Sequence, residues 1–128
     1  MSSAPYLFVY GTLLRSQSKN LFSRYLAQNA DLLGRAAVFG RLCGLKRYPG
    51  MRPPLEQGDL VTGEVFRLRR PVLTLQTLDA YEARAYRRVR LRASLEDARM
   101  LRCWVYIYRH PLPRHRRIDS GMWENRNS

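Results

Sequence analysis

Nine residues in the middle of the chain, Leu60 to Leu68, alternate in the manner of a β-strand, with a glycine inside the run. Val61, Gly63, Val65 and Arg67 fall on one face, and Leu60, Thr62, Glu64, Phe66 and Leu68 on the other, because successive strand side chains point to opposite sides. Gly63 marks a close backbone approach or a kink, since an interior glycine otherwise weakens a strand. Ala30 to Gly44 alternates weakly and has glycines at 34, 40 and 44, which predicts a bent or bulged strand pair. Tyr6 to Tyr10, Tyr86 to Ala93 and Leu101 to Tyr108 are further runs rich in branched and aromatic residues. The last two are joined by a turn around Glu96-Asp97-Ala98. Glycine-kinked strands with few spare edges favour a small barrel over a flat open sheet.

Two helices fit between the strands. Leu21, Phe22, Tyr25 and Leu26 share one face of a short helix. Pro71 opens another at its first turn, where a missing N–H is tolerated, with Val72, Leu75, Leu78 and Asp79 at helical spacing and an end near Tyr81 or Glu82. Tyr48-Pro49-Gly50 reads as a turn, and Pro53-Pro54 keeps the following loop extended. Pro111 and Pro113 end the regular structure before a short closing segment from Ile118 to Trp123. The expected architecture is a single α+β domain over residues 1–128. Its centre is a small closed or nearly closed mixed β-barrel of about six strands, flanked by short helices.

A chain of 128 residues with 45% hydrophobic side chains has material for one real core. No apolar run approaches the roughly 20 residues of a membrane span, and the N-terminus lacks a signal-peptide pattern, so a cytoplasmic protein is expected. The formal charge of +13 raises the question of nucleic acid. All but two of the 23 basic residues are arginine, the exceptions being Lys19 and Lys46, and they are spread along the chain. Dispersed charge gives solubility and non-specific attraction to polyanions, so no specific nucleic-acid surface is expected. Cys43 and Cys103 lack Cys-x-x-Cys spacing and read as buried small hydrophobes. His110 and His115 flank Pro111-Leu112-Pro113, without the three or four converging ligands that zinc needs. Neither a metal nor a cofactor is expected.

Two places can carry chemistry. After the strand ending at Tyr10, Gly11 lets the backbone turn and leaves amide N–H groups without a ladder partner. Such a turn either ends a strand and nothing more, or holds a carboxylate or oxyanion with backbone donors. Glu82 stands at a helix end just before a strand, where a side chain can point into a cavity mouth. Its plainer role is a solvated glutamate pairing with Arg84 or Arg87. Arg88 shares a face with Arg90 and Arg92, which favours a solvated position over a substrate clamp.

Tyr10-Gly11-Thr12-Leu13, Tyr48-Pro49-Gly50, Gly63-Glu64-Val65-Phe66, Leu78-Asp79-x-x-Glu82, Tyr86-x-Arg88, Val105-Tyr106 and Ser120-Gly121-x-Trp123 occur in this order. Together they resemble the γ-glutamylcyclotransferase-like superfamily, in the branch of small bacterial AIG2-like proteins. The resemblance implies a β-barrel with a cavity at one end and a small-molecule γ-glutamyl substrate. It also implies the reaction, in which the α-amine attacks its own γ-carbonyl, releasing an amine or amino acid and forming 5-oxoproline. No nucleophile from the protein is required. By the same resemblance Glu82 is the general acid and base, and Tyr10, Gly11, Thr12, Leu13 and Tyr86 bind substrate. An unperturbed glutamate facing an α-amine would take the proton uphill by roughly 5 kcal/mol, a gap that burial beside Tyr10, Tyr81 or Tyr86 would narrow. The alternative is a non-catalytic module of the same fold that binds a small anion. The oligomeric state and the leaving amine stay open.

Overall fold

The alternation of Leu60 to Leu68 divides two hydrophobic cores. In the computed structural model, which describes residues 5–10, 21–44, 49–82, 85–113 and 116–122, with the backbone alone at 21, 22, 81 and 82, Val61 and Val65 are fully buried in one core. Phe66 and Leu68 are buried in the other. The elements run β1 (Tyr6–Val9), α1 (Leu21–Asn29), β2 (Ala30–Phe39), β3 (Arg41–Gly44), β4 (Pro49–Arg52), β5 (Leu60–Leu68), α2 (Pro71–Glu82), β6 (Tyr86–Leu95) and β7 (Met100–Tyr108). Five strands close a barrel in the order β1-β5-β2-β6-β7, and β3 pairs with β4 in a separate two-stranded sheet. Closure comes from the parallel pairing of β1 with β7, Leu7 opposite Trp104 and Phe8 opposite Val105. The other barrel pairs are antiparallel.

The barrel is therefore closed and mixed, as expected, but it has five strands rather than about six. The difference arises at Gly40. A Cβ there would lie 2.3 Å from the terminal methyl of Met51, so glycine leaves room for that side chain where the chain turns under β4. After that turn β3 leaves the barrel and takes β4 as its partner. β4 itself corrects the reading of Pro49-Gly50 as a turn. Pro49 is the first residue of the strand, where its missing N–H is tolerated; Tyr48 lies outside the described residues. The bend expected between 30 and 44 is present as a register shift between Leu32 and Gly34.

Gly63 marks a close approach. A Cβ at this position would sit 2.1 Å from the carbonyl oxygen of Val9, so β1 can lie against β5 only because the side chain is absent. Inside the barrel Phe8, Val38, Val61, Val65, Ala93 and Val105 pack together, all at most 1% exposed. Each large apolar side chain so buried contributes about 1.5–3 kcal/mol. Outside, Leu7, Val9, Phe66 and Leu68 meet Leu26 of α1 and Leu75 and Leu78 of α2.

Pro71 opens α2 as expected, and the Thr74 N–H closes the first turn onto the Arg70 carbonyl at 2.9 Å. The buried stripe is Thr74, Leu75 and Leu78, whereas Val72 is 67% exposed. Val72 is about 200° around the helix from Thr74, which puts it on the solvent side. α1 passes directly into β2, with Asn29 donating its side-chain amide to the Tyr25 carbonyl at the helix end. The segment after 116 returns across the barrel end, where Ile118 donates its N–H to Leu42 O and Thr62 donates its N–H to Gly121 O, both at 2.8 Å. Among the described residues no helix is long and apolar enough to cross a membrane.

Candidate active site

Tyr10 follows directly on β1 and is only 7% exposed. Its hydroxyl donates to the Tyr106 carbonyl at 2.5 Å and accepts the Met51 N–H at 3.0 Å. The next three candidate positions, Gly11, Thr12 and Leu13, lie outside the described residues. Tyr86 is the first residue of β6. Its hydroxyl donates to the Pro49 carbonyl at 2.7 Å, and its ring meets that of Tyr108 edge-on with centroids 5.6 Å apart.

The two tyrosines thus hold the same short strand, one at Pro49 and the other at Met51. Two strand residues span about 6.6 Å. Tyr10 immediately precedes Gly11, and Tyr86 comes four residues after Glu82, the last residue of α2. The structure therefore brings together the segments flanking both candidate regions. The Glu82 side chain is outside the described residues.

Arg88 is not freely solvated but half-buried and paired. Its Nε and one terminal nitrogen donate to the two carboxylate oxygens of Asp79, each at 2.9 Å. The Tyr106 hydroxyl donates to the same carboxylate at 2.6 Å. The guanidinium also lies over the Trp104 ring, 4.1 Å from its centroid. The paired Arg88 guanidinium holds the Asp79 carboxyl below the usual aspartate range against the opposing effect of burial, and the Tyr106 bond adds to it. Alternation correctly put Arg88 on the face with Arg90, but α2 covers that face at this point. No local pattern reveals the pair, because its members are on a helix and a strand.

A second acid missed in the sequence is Asp59, which is only 2% exposed. Its Oδ2 accepts the N–H groups of Leu55 and Glu56, and its Oδ1 accepts two bonds from Arg117. Those backbone donors, followed by Arg117, hold its carboxyl below the usual range. Both cysteines are fully buried, as expected. Burial raises the Cys43 thiol and pushes the Cys103 thiol up to about 12, so neither is a ready thiolate nucleophile.

A sequence profile of the family described as "Gamma-glutamyl cyclotransferase, AIG2-like" matches residues 7–125. The chain belongs to this family. The matched span includes Tyr10 to Leu13, Glu82 and Tyr86. The γ-glutamylcyclotransferase family protein YtfP of Escherichia coli K12 is 32% identical over 124 residues, covering 94% of this chain and 97% of YtfP. Among solved structures, a mouse AIG2-like protein superposes with a TM-score of 0.67 at 25% identity, over 97% of both chains. Bacillus subtilis YkqA superposes with a TM-score of 0.74 at 22% identity, over 93% of this chain but 39% of YkqA. That last likeness concerns the shared γ-glutamylcyclotransferase fold alone.

Proposed function

We infer that the protein is a γ-glutamyl cyclotransferase that converts a γ-glutamyl amine or small γ-glutamyl peptide into 5-oxoproline and a free amine or amino acid. The observation that carries this reading is the shared grip of Tyr10 and Tyr86 on β4. It holds Tyr10, the residue before Gly11, and Tyr86, four residues after Glu82, on one short strand.

In the proposed reaction the α-nitrogen attacks the γ-carbonyl, so a C–N bond forms within the substrate and the bond to the leaving amine breaks. Glu82 takes a proton from the α-ammonium and returns it to the departing nitrogen, and the second proton that the α-nitrogen loses on forming the lactam leaves with the amine as its ammonium. Backbone N–H groups of Gly11, Thr12 and Leu13 bind the α-carboxylate or the γ-oxyanion as charge develops. The protein supplies no nucleophile. Holding the substrate in its ring-forming pose contributes an effective molarity on the order of 10⁵ M or more. Helical spacing supports the role of Glu82, because positions 79 and 82 lie on neighbouring sides of α2. The Asp79–Arg88 pair adds a brace between β6 and the helix that presents position 82.

The test is a 5-oxoproline assay on a panel of γ-glutamyl amines and dipeptides. Glu82→Gln is expected to lower kcat by about 10²–10⁴-fold, the range for loss of a general acid–base group. Full turnover by that variant would remove Glu82 from the mechanism. Ligand-induced thermal stabilisation without product, across the panel, would favour a binding module instead.

A further inference from the structure

Tyr106 is bonded on two sides, once through its backbone and once through its side chain. β1 pairs with β7 at Leu7–Trp104 and Phe8–Val105. One residue further along β7, the Tyr106 carbonyl accepts the Tyr10 hydroxyl at 2.5 Å. The Tyr106 side chain packs outside the barrel in the cluster of Leu7, Val9 and Leu78, and its hydroxyl donates to Asp79 Oδ1 at 2.6 Å. The residue is buried. Phenylalanine would fill the same apolar space, so the hydroxyl is what tyrosine adds. Asp79 does not need that hydroxyl for charge balance, since Arg88 already reaches both carboxylate oxygens.

The two bonds end close in sequence to the two places that carry the proposed chemistry. Tyr10 directly precedes Gly11. Asp79 opens the last turn of α2, whose final residue is Glu82. The last turn of a helix has carbonyls without intrahelical partners and frays readily, so a sideways bond to Asp79 restrains the turn that presents position 82. Ring closure is sensitive to such restraint, because a misplacement of about 1 Å can cost about a hundredfold in rate.

We propose that Tyr106 is a positioning residue that couples the two halves of the candidate site. Its carbonyl holds Tyr10 ahead of the Gly11–Leu13 turn, and its hydroxyl holds Asp79 ahead of Glu82. Tyr106 acts through these neighbours and takes no part in proton transfer. The consequence for turnover rests on the cyclotransferase reading, whereas the coupling itself is a property of the fold.

The experiment has a kinetic and a spectroscopic arm, both on the full chain below the Tm of each variant. Tyr106→Phe keeps the ring and the carbonyl and removes the bond to Asp79. It should lower kcat for 5-oxoproline formation by about ten- to a hundredfold, with KM changed by less than about threefold. In a Glu82→Gln background the same substitution should cost less than about twofold more, because positioning counts when the positioned group is present. An equal loss in both backgrounds, or full turnover by Tyr106→Phe, overturns the positioning role. In the spectroscopic arm, Tyr106→Phe should shift the amide resonances of Gly11, Thr12 and Leu13 as well as those of Ala80 to Glu82. Tyr10→Phe, acting from the other side, should shift Ala80 to Glu82. Shifts confined to the neighbours of the lost bond overturn the coupling. If the unaltered protein turns over no panel substrate, the cyclotransferase reading fails and the resonances alone decide the coupling. Should Tyr106→Phe fail to fold, the Tyr10→Phe spectrum decides it.

Discussion

The Tyr10 hydroxyl ties the end of β1 to both β7 and β4 through its bonds with Tyr106 O and Met51 N. Tyr10→Phe would leave a buried carbonyl and a buried N–H without that partner, at an expected cost of about 1–3 kcal/mol. Urea unfolding checks this as a lower midpoint at unchanged slope. Tyr86→Phe, which removes the bond to Pro49 O at a half-buried site, should cost less, about 0.5–1.5 kcal/mol. The sequence marked both tyrosines, but through family motifs and not through these contacts. A hydroxyl that bonds to a carbonyl 96 residues away leaves no local pattern. Asp59 shows the same limit. Its bonds from Leu55 and Glu56 are local, yet its deep burial depends on Arg117, 58 residues further on.

Elements were legible where their own side-chain period decides them. β5 spans the residues whose alternation defined it, and α2 begins at the proline and ends at Glu82. β4 was not legible, because Pro-Gly-Met-Arg has no strand character until β3 lies beside it. The rotation of α2 was partly misjudged for a similar reason. Val72 fits a helical period, but contact with the barrel selects Thr74 instead. Gly63 is the sharpest element-level test. Gly63→Ala forces a methyl group against Val9 O and the Phe8 ring, and should destabilise by at least about 1–3 kcal/mol. At Gly44 the nearest atom to an added Cβ is Ile118 Cδ1 at 3.8 Å. Gly44→Ala therefore serves as the mild comparison in the same thermal or urea unfolding series.

Across the whole molecule, a closed barrel could be read from kinked strands, whereas the side hairpin could not. Charge also acts at this scale. Asp31, Asp59, Asp79 and Asp97 are all held below the ordinary aspartate value of 3.8, by arginine partners or backbone N–H groups. A carboxyl with a depressed folded-state pKa adds stability above its unfolded value, and that stability is lost as pH falls through the folded value. The Tm should be nearly flat down to about pH 5 and then fall steadily toward pH 2. Asp79→Asn should remove part of that acid slope, because the Arg88-paired carboxylate no longer takes up a proton. An unchanged slope would show that the pair is not coupled to folding.

The parallel seam between β1 and β7 also sets an order of events. The strand nearest the start of the chain cannot complete its ladder until the last strand arrives, so the entropy of closing nearly the whole chain is lost before that seam repays it. Until Met100–Tyr108 is in place, β1 and β6 each present an unpaired edge, the kind of surface that recruits strands from other chains. A polypeptide stopped short of Met100 is therefore not a smaller barrel. It is an open sheet with two adhesive margins, and the final strand acts as the clasp that makes the molecule self-contained.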